Sequence, residues 1–424
     1  MEMLRMIKKV LRCSFFLVSA FITAAMLTNC GGGGNSLVGL PVPPVAGEAN
    51  SYTGKPANSQ SDNRLWNVNV DHSKNSYSYN PLSGNTAPVA GNFAPLNGGF
   101  LVLLGQNGYQ NGLALEIPGR VILLRPGDSS AALIFAVQQA SCFNIGGNVK
   151  FLFTFSPGLV GTGEAVFGRI YASSNGNGSS WDFNNQLQYQ RPDGKNVPAS
   201  ADSPGYPTGF SGACKVTNGN ASVTSAPLAY FSDGSSYSLP TEFVINPAGF
   251  FLENQDYANV ISAKPSWSYP VISAWGVSEP SSLLKTSSVA TAAYAGFLFE
   301  ASVSGAHLTR PVGFGGVPVS GTVMAGGTFP SEDPTKTPNT NMSIDFGKQD
   351  PLNNGIYYLA KLTIPVIANW PCTGTAGIDL SGNPTCTYNA LATVGTPEGK
   401  YAVILSTLDD AGNQKILVLF QQQI

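Results

Sequence analysis

The feature that most constrains the fold of this chain is a period-two alternation of apolar and polar residues in many short segments. In Trp66 to Val70 the apolar side chains alternate with asparagines, a polar turn from Asp71 to Asn75 follows, and Ser76 to Tyr79 alternates again. Side chains of a β-strand point alternately to opposite faces, so this pattern predicts a hairpin with one buried face. Similar segments recur towards the C-terminus between clusters of Gly, Pro, Asn and Asp, and long helical patterns are nearly absent. The segment from Asp128 to Cys142 is compatible with either a helix or a strand.

Many short strands with regular turns predict an all-β fold of two antiparallel β-sandwich or small β-barrel domains. We place the boundary near residue 257, which gives domains over residues 51–256 and 257–424. The alternative is a single larger β assembly such as a propeller. It rests on an internal echo, since Ala248 to Glu253 and Ala295 to Glu300 share the pattern Ala-Gly-Phe-apolar-apolar-Glu at a spacing of 47 residues, close to one propeller blade.

The last hairpin pattern of the chain is apolar on both faces. Its arms are Lys400 to Leu408 and Gln414 to Gln423, and the turn between them is Asp409 to Asn413. Strands that are covered on both faces lose the alternation of apolar and polar residues. We therefore expect this hairpin to be central to its sheet.

The N-terminus has the organisation of an export signal. Four basic residues precede an apolar run from Ser14 to Thr28, and the run is shorter than the about 20 apolar residues that a membrane-spanning helix needs. The run leads into Leu27-Thr28-Asn29-Cys30, and four glycines follow the cysteine. This arrangement resembles the lipobox of bacterial lipoproteins, in which the cysteine thiol is acylated and becomes the new N-terminus. The alternative is an ordinary secretory signal with an incidental cysteine.

The resemblance to bacterial lipoproteins covers residues 1 to 34. It implies a removable signal peptide over residues 1–29, lipid attachment at Cys30, contact with the membrane through that lipid, and an outer-membrane location. The remaining sequence resembles uncharacterised β-rich envelope lipoproteins. Residues 30–50 contain the four glycines and three prolines, a composition typical of a flexible tether.

The charge balance excludes one class of function. The leader carries four basic residues and one acidic residue, so 18 of the 22 basic and 23 of the 24 acidic side chains remain after its removal, with a net charge of −5. A nucleic-acid-binding protein presents a surface on which Lys and Arg residues cluster. This sequence contains no such cluster, so nucleic-acid binding is not expected. Charged residues make up 11% of the chain against about 25% in a typical soluble domain, so Ser, Thr, Asn, Gln and Gly must cover much of the surface.

Four cysteines remain once Cys13 leaves with the leader and Cys30 carries lipid, and an even number in an exported chain predicts two disulfides. The four are Cys142, Cys214, Cys372 and Cys386. They allow three pairings, of which the sequence-local one joins the first to the second and the third to the fourth. No Cys-x-x-Cys spacing is present, so zinc binding and thioredoxin-like chemistry are not expected.

No catalytic motif is complete in the sequence. Ser282 to Lys285 matches the Ser-x-x-Lys of serine β-lactamases, but the later Lys-Thr-Gly element is absent. His72 and His307 are the two histidines of the chain, and neither belongs to a metal-ligand spacing. We therefore predict no catalytic residue, no metal and no cofactor. A pair of dispersed carboxylates, as in glycosidases, needs no local signature and remains the basis of an alternative hydrolase function.

Aromatic residues in polar segments are the candidates for ligand binding. Trp181 follows the run Asn175 to Ser180, which is too rich in Gly, Asn and Ser to form a core strand, and Trp267 and Tyr269 alternate just before a proline. Exposed aromatic rings beside Asn and Asp suit sugar stacking. The alternative for each residue is a structural role in capping a sheet. The sequence thus predicts a non-catalytic envelope or surface lipoprotein that binds a glycan or a protein, with a lipid-anchored hydrolase and a structural envelope component as alternatives.

Overall fold

Eight-stranded antiparallel barrels make up the computed structural model of this chain. The model describes residues 48–57, 64–84, 86–145, 149–155, 165–190, 209–226, 228–230, 236–238, 240–255, 273–302, 305–368, 370–379, 381–408 and 413–422. Of the two compact units in the chain, residues 1–36 lie outside these ranges, and the second unit spans residues 37–424. The barrels all belong to the second unit.

The first barrel is a meander in which each strand pairs with the next along the chain. Its strands are β1 (Ala49–Pro56), β2 (Trp66–Asp71), β3 (Ser76–Pro81), β4 (Val89–Pro95), β5 (Phe100–Leu104), β6 (Gln110–Ile117), β7 (Val121–Pro126) and β8 (Ile134–Val137). Pairing of Thr53 with Val137 joins β1 to β8 and closes the barrel. The predicted hairpin is confirmed, because β2 and β3 pair in register around its turn. The ambiguous segment before Cys142 contains a strand, β8.

The second barrel repeats this arrangement with one short hairpin inserted. Its strands are β9 (Val149–Phe155), β10 (Ala165–Ser174), β11 (Ser180–Gln190), β12 (Phe210–Thr217) and β13 (Asn220–Ser225), then the inserted β14 (Leu228–Tyr230) and β15 (Ser236–Ser238), and finally β16 (Thr241–Asn246), β17 (Phe250–Gln255) and β18 (Ser273–Ser278). Pairing of β18 with β9 closes the barrel.

A ten-stranded sheet forms the third barrel, preceded by a short helix, α1 (Thr286–Thr291). Its strands are β19 (Tyr294–Ala301), β20 (His307–Ser320), β21 (Val323–Thr328), β22 (Met342–Asp345), β23 (Lys348–Gln349), β24 (Ile356–Pro365), β25 (Thr375–Ile378), β26 (Pro384–Gly395), β27 (Ala402–Leu408) and β28 (Gln414–Gln421). Because β24 also pairs with β26, eight of these strands close into a ring, and β23 and β25 lie outside it.

Alternation of side chains gives each barrel its own apolar interior. The first barrel is filled by residues such as Tyr52, Val68, Val70 and Tyr79, which share one face of their strands. The interior of the second barrel is rich in aromatic residues, and the third is filled by Leu, Ile, Met and Tyr side chains. The closed interiors account for the alternating pattern of the sequence.

The outward faces of the three barrels meet in a shared apolar core. Strands β5 to β8, β16 to β18, and β19, β27 and β28 contribute to this cluster. Aromatic pairs span the barrels: Phe135 stacks on Trp275 at a centroid distance of 5.2 Å, and Phe250 meets Phe420 edge-on at 5.5 Å. Strands that face both an interior and this shared core are buried on both sides.

The terminal hairpin illustrates that double burial. β27 and β28 pair in register and lie in the middle of the third sheet. Leu417 and Leu419 point into the third barrel, whereas Val418 and Phe420 point into the shared core. The prediction of a central hairpin covered on both faces is confirmed.

The all-β prediction is confirmed, and the barrel alternative within it is the one that forms. The propeller alternative is wrong, because the sheets close on themselves instead of forming blades.

The two segments that share the Ala-Gly-Phe pattern lie in β17 and β19. β17 is the second-last strand of the second barrel and β19 is the first strand of the third, so the two segments do not occupy equivalent positions. The boundary predicted near residue 257 lies outside the described residues and stays a prediction. No helix among the described residues is long and apolar enough to cross a membrane.

Candidate functional site

A cleft of about 390 Å³ opens where the three barrels converge. We call it the three-barrel cleft. The first barrel supplies residues 98–99, 115–118 and 120, the second supplies Phe250, and the third supplies residues 397–398, 400–402 and 420–422. All of these residues lie in turns at barrel ends or in the strand ends beside them. Its volume is within the range of about 300–1,000 Å³ that is typical of small-molecule sites.

The floor of the cleft is apolar. Leu115, Phe250, Ala402 and Phe420 line it, and each is 1% exposed because it also belongs to the shared core. The strands that carry these residues are fixed by pairing on both sides. The floor is therefore rigid, and the shared core covers most of it. Other apolar lining residues are half-buried, so part of their surface is accessible to a ligand: Ile117, Pro118 and Tyr401.

One wall of the cleft is a glycine turn. Gly98 and Gly99 both have positive φ angles, 73° and 83°, which L side chains rarely adopt. A Cβ atom at Gly99 would lie 3.0 Å from the Glu116 carbonyl oxygen, and one at Gly98 would lie 3.0 Å from Gln422 Oε1. Glycine thus permits the backbone conformation of the turn, and the absence of side chains lets Glu116 and Gln422 approach it closely.

The rim of the cleft carries charge. Arg120 Nε and Nη2 lie 2.6 Å from Glu398 Oε2 and Oε1, so the guanidinium and the carboxylate form a two-point ion pair between the first and third barrels. Arg120 Nη1 also donates to the Pro118 carbonyl at 2.9 Å. Lys400 is exposed at the same rim and has no ion-pair partner among the described residues. With Arg120 and Glu398 neutralising each other, Lys400 leaves the rim with positive charge.

A buried polar network lies in the first barrel beside the cleft. Tyr52 Oη donates to Glu116 Oε1 at 2.6 Å and accepts from the Gly119 amide at 3.0 Å, and His72 Nε2 lies 2.8 Å from Glu116 Oε2. Burial raises the pKa of the Tyr52 hydroxyl well above its usual value, and the Glu116 carboxylate adds to the increase. The hydrogen bond to Glu116 raises the pKa of the His72 imidazole. Glu116 lines the cleft, but its carboxylate is already committed to these two partners.

These contacts limit what the cleft can do chemically. Its two carboxylates, Glu116 and Glu398, both accept hydrogen bonds from fixed cationic or neutral donors, so neither is a free general base. In the part of the chain that the structure describes, no three His, Cys, Asp or Glu side chains are grouped to hold a metal ion. The charged rim and the apolar lining together can contact both a charged and an apolar part of a small molecule.

Trp181 is fully buried, so the prediction of an exposed ring at this position is wrong. The Gly- and Asn-rich run before it forms the turn between β10 and β11, and Trp181 is an inward-facing residue at the start of β11. Its indole Nε1 donates to the Gly178 carbonyl at 2.8 Å, and Phe143 covers it edge-on at 5.1 Å. The run that resembled an exposed loop is a tight hairpin turn.

The linker after β8 provides that cover. Phe143 and Ile145 of this linker belong to the interior cluster of the second barrel. The Ile145 amide donates to Ser174 Oγ at 2.6 Å, which fixes the linker to the end of β10. The backbone of Phe143 passes so close to Gly178 that a Cβ there would lie 2.2 Å from the Phe143 carbonyl oxygen. Glycine at residue 178 is therefore required for the linker to enter the barrel mouth.

Both disulfides of the sequence-local pairing are present in the structure. Cys142 bonds to Cys214, which ties the linker to β12, and Cys372 bonds to Cys386, which ties the segment after β24 to β26. The other predicted site residues, Cys30, Trp267 and Tyr269, lie outside the described residues.

The residues of the three-barrel cleft carry no local sequence signal. In the sequence, Gly98 and Gly99 indicate only a turn. Phe250 stands out only as part of the repeated Ala-Gly-Phe pattern, which does not indicate a binding site. Arg120 and Glu398 are separated by 278 residues, so their pairing depends on how the barrels pack. The site could therefore not be predicted from the sequence.

Comparisons with known proteins assign no family to the chain. No protein-family model matches it, and no curated protein matches it. Among solved structures, it is similar to a tryptophan-to-alanine mutant of the vaccine antigen transferrin binding protein B from Haemophilus parasuis Hp5, with 10% sequence identity and a TM-score of 0.24. That match covers 89% of this chain and 76% of the other. A TM-score this low does not define a shared fold.

Proposed function

We propose that this protein is a non-catalytic binding protein of the bacterial envelope and that the three-barrel cleft is its ligand site. The observation that carries the proposal is the cleft itself, which combines a rigid apolar floor around Phe250 and Phe420 with polar and charged lining residues such as Arg120 and Lys400. Ligand pockets combine these two features, because apolar walls supply binding energy and a few polar groups fix orientation.

The cleft favours a small ligand over the predicted glycan or protein ligand. Sugars stack on exposed ring faces, whereas Phe250 and Phe420 are each 1% exposed and meet each other edge-on. A protein partner needs roughly 800 Å² of surface on each side, which a cleft of this size does not offer by itself. A hydrolase function is not supported by the cleft, since both of its carboxylates are held by other groups.

Lipid attachment at Cys30 is part of the same proposal. The lipobox-like sequence supports it, and residues 31–47 leave a tether between the lipid and the first strand. A tethered binding protein keeps its ligand near the membrane surface. A purely structural role remains the alternative, and it requires no ligand in the cleft.

A small-molecule screen by thermal shift tests the proposed site. Lys400→Trp places a large ring at the cleft mouth, and Lys361→Trp makes the same change at an exposed residue of β24 that does not line the cleft. A compound present at 100 times its Kd stabilises the folded state by about 2.7 kcal/mol. We expect stabilising compounds to act on the native protein and on Lys361→Trp but to lose their effect on Lys400→Trp.

Two outcomes would contradict the proposal. Compounds that stabilise both variants equally would bind elsewhere on the protein. A screen in which no compound raises the melting temperature would favour the structural role.

A further inference from the structure

We infer that the ligand of the three-barrel cleft is a small anionic amphiphile, with a carboxylate head at Lys400 and an apolar chain on the floor. This inference rests on the cleft being a binding site, as proposed above. The geometry that points to it is the combination of one cation at the rim that has no described ion-pair partner with apolar residues that line the rest of the cleft.

The sign of the head group follows from the rim charges. Arg120 and Glu398 bind each other through two contacts of 2.6 Å, and the Glu116 carboxylate is held inside the first barrel by Tyr52 and His72. Lys400 is thus the ionisable side chain of the rim whose charge is not balanced by a described partner. An anion gains a charge-assisted contact there, whereas a cation would meet like charge.

The apolar part of the ligand follows from the floor. Leu115, Phe250, Ala402 and Phe420 form it and offer no hydrogen-bonding side chain. The half-buried Ile117 and Pro118 add apolar surface that a chain can contact. A polar group placed on this floor would lose its water without gaining a partner, which is costly. A hydrocarbon chain buried there gains about 25 cal/mol per Å² of apolar surface removed from water.

Glu398 has a second effect in this arrangement. Its carboxylate occupies the guanidinium of Arg120 and lies at the same rim as Lys400, so it competes with an incoming carboxylate for positive charge. Neutralising Glu398 should therefore strengthen binding of an anion, while neutralising Lys400 should weaken it. The two substitutions change the rim charge in opposite directions.

Decanoate and decanol distinguish the contribution of the head group to affinity from that of the hydrocarbon chain. Both have ten carbon atoms, and only decanoate carries a negative charge. Binding is measured by isothermal titration calorimetry at pH 7.5, below the concentration at which decanoate forms micelles. We expect decanoate to bind about tenfold more tightly than decanol, the effect of one partly exposed charge-assisted contact. Lys400→Gln should remove this preference, Glu398→Gln should increase it, and Lys361→Gln should leave both affinities unchanged.

The outcomes distinguish this inference from the proposed function. Equal affinity for decanoate and decanol, both lost in Lys400→Trp, would overturn the anionic head group and leave the cleft as a binding site. Binding of neither probe would overturn the amphiphile, and the screen described above would then decide whether the cleft binds anything else. A preference for decanoate that persists in Lys400→Gln would also contradict the inference.

Discussion

The indole ring of Trp181 is held by aromatic side chains on two sides. Phe143 meets it edge-on at 5.1 Å, Phe183 stacks beside it at 6.2 Å, and the Gly178 carbonyl accepts its N–H. Trp181 is one of the largest fully buried side chains in the described residues. A tryptophan in this setting contributes to stability through packing and not through ligand contacts.

We predict that Trp181→Ala lowers the free energy of unfolding by about 3–5 kcal/mol, the usual cost of removing a buried tryptophan. Tyr109→Ala is the matched control, because that ring is 74% exposed and surface substitutions usually change stability by no more than about 0.5 kcal/mol. Urea titration followed by circular dichroism measures both. If Trp181→Ala does not fold, Trp181→Phe keeps a ring but loses the bond to Gly178 and part of the buried packing, so it should destabilise the protein less than Trp181→Ala and more than Tyr109→Ala. A Trp181→Ala protein as stable as the native one would mean that the ring is exposed.

The position of Trp181 was not predictable from the neighbouring residues. Gly, Asn and Ser are frequent both in long exposed loops and in the tight turns of hairpins. What separates the two cases here is the pairing of β10 with β11 and the passage of Phe143 over Gly178, and both depend on segments outside the turn.

Two connecting segments, the linker after β8 and α1, each cover one end of a barrel. The linker after β8 enters the mouth of the second barrel, and Gln139 binds it to two strands, since its carbonyl accepts from the Ala221 amide at 2.6 Å and its Oε1 accepts from the Ile245 amide at 2.9 Å. α1 plays the same part in the third barrel, where Val289 and Ala290 join the interior cluster and Tyr294 Oη donates to the Val289 carbonyl. Each of these two segments therefore contributes side chains to the interior of the barrel that follows it in the chain.

We predict that removing the Cys142–Cys214 disulfide loosens the linker cap. The bond joins residues 72 positions apart, and the chain-entropy model gives it about 4 kcal/mol of stabilisation. In the Cys142→Ser/Cys214→Ser variant, hydrogen exchange followed by mass spectrometry should be faster over residues 138–145. Exchange over α1 should not change.

The second disulfide provides the control for this experiment. Cys372→Ser/Cys386→Ser removes a bond of the same kind in the third barrel and should leave exchange over residues 138–145 at the native rate. Equal exchange over those residues in the native protein and the Cys142→Ser/Cys214→Ser variant would contradict a role of that bond in holding the cap.

Individual hairpins were predictable because their signals are local. The β2–β3 and β27–β28 pairs follow from alternation or doubled burial around a polar turn. The pairs that close the barrels, such as β1 with β8, join strands that are far apart in the chain and have no local signature. The sequence therefore indicated the strands and the all-β class, but not that the sheets form three barrels.

At the scale of the whole molecule, the site exists only because three barrels share one apolar core. Phe250 comes from the second barrel, Leu115 from the first and Phe420 from the third, and all three belong to the same cluster. No domain taken alone contains the three-barrel cleft. Neither the residues of the cleft nor its charge could be predicted from the sequence, since both arise from packing between the barrels.

We predict that Cys30→Ala releases the protein from the membrane. Each buried CH₂ group of an acyl chain contributes about 0.8 kcal/mol, and two or more chains together give stable anchoring. The variant should appear in the soluble fraction after cell disruption. Cys13→Ala is the control, because that cysteine belongs to the predicted leader and should not affect anchoring. Recovery of Cys30→Ala in the membrane pellet at the level of Cys13→Ala would contradict lipid attachment at this residue.

The closing pairs of the barrels also set the order in which the protein can be completed as the chain is made. A chain that emerges N-terminus first can form each meander strand by strand, but the ring stays open until its last strand arrives: β8 for the first barrel, β18 for the second and β28 for the third. An open meander exposes two unpaired strand edges, which readily pair with other chains. The final strand of the third barrel therefore determines when the newly made molecule stops being a target for aggregation. Truncation within β28 should reduce the yield of folded protein more than a deletion in a connecting loop.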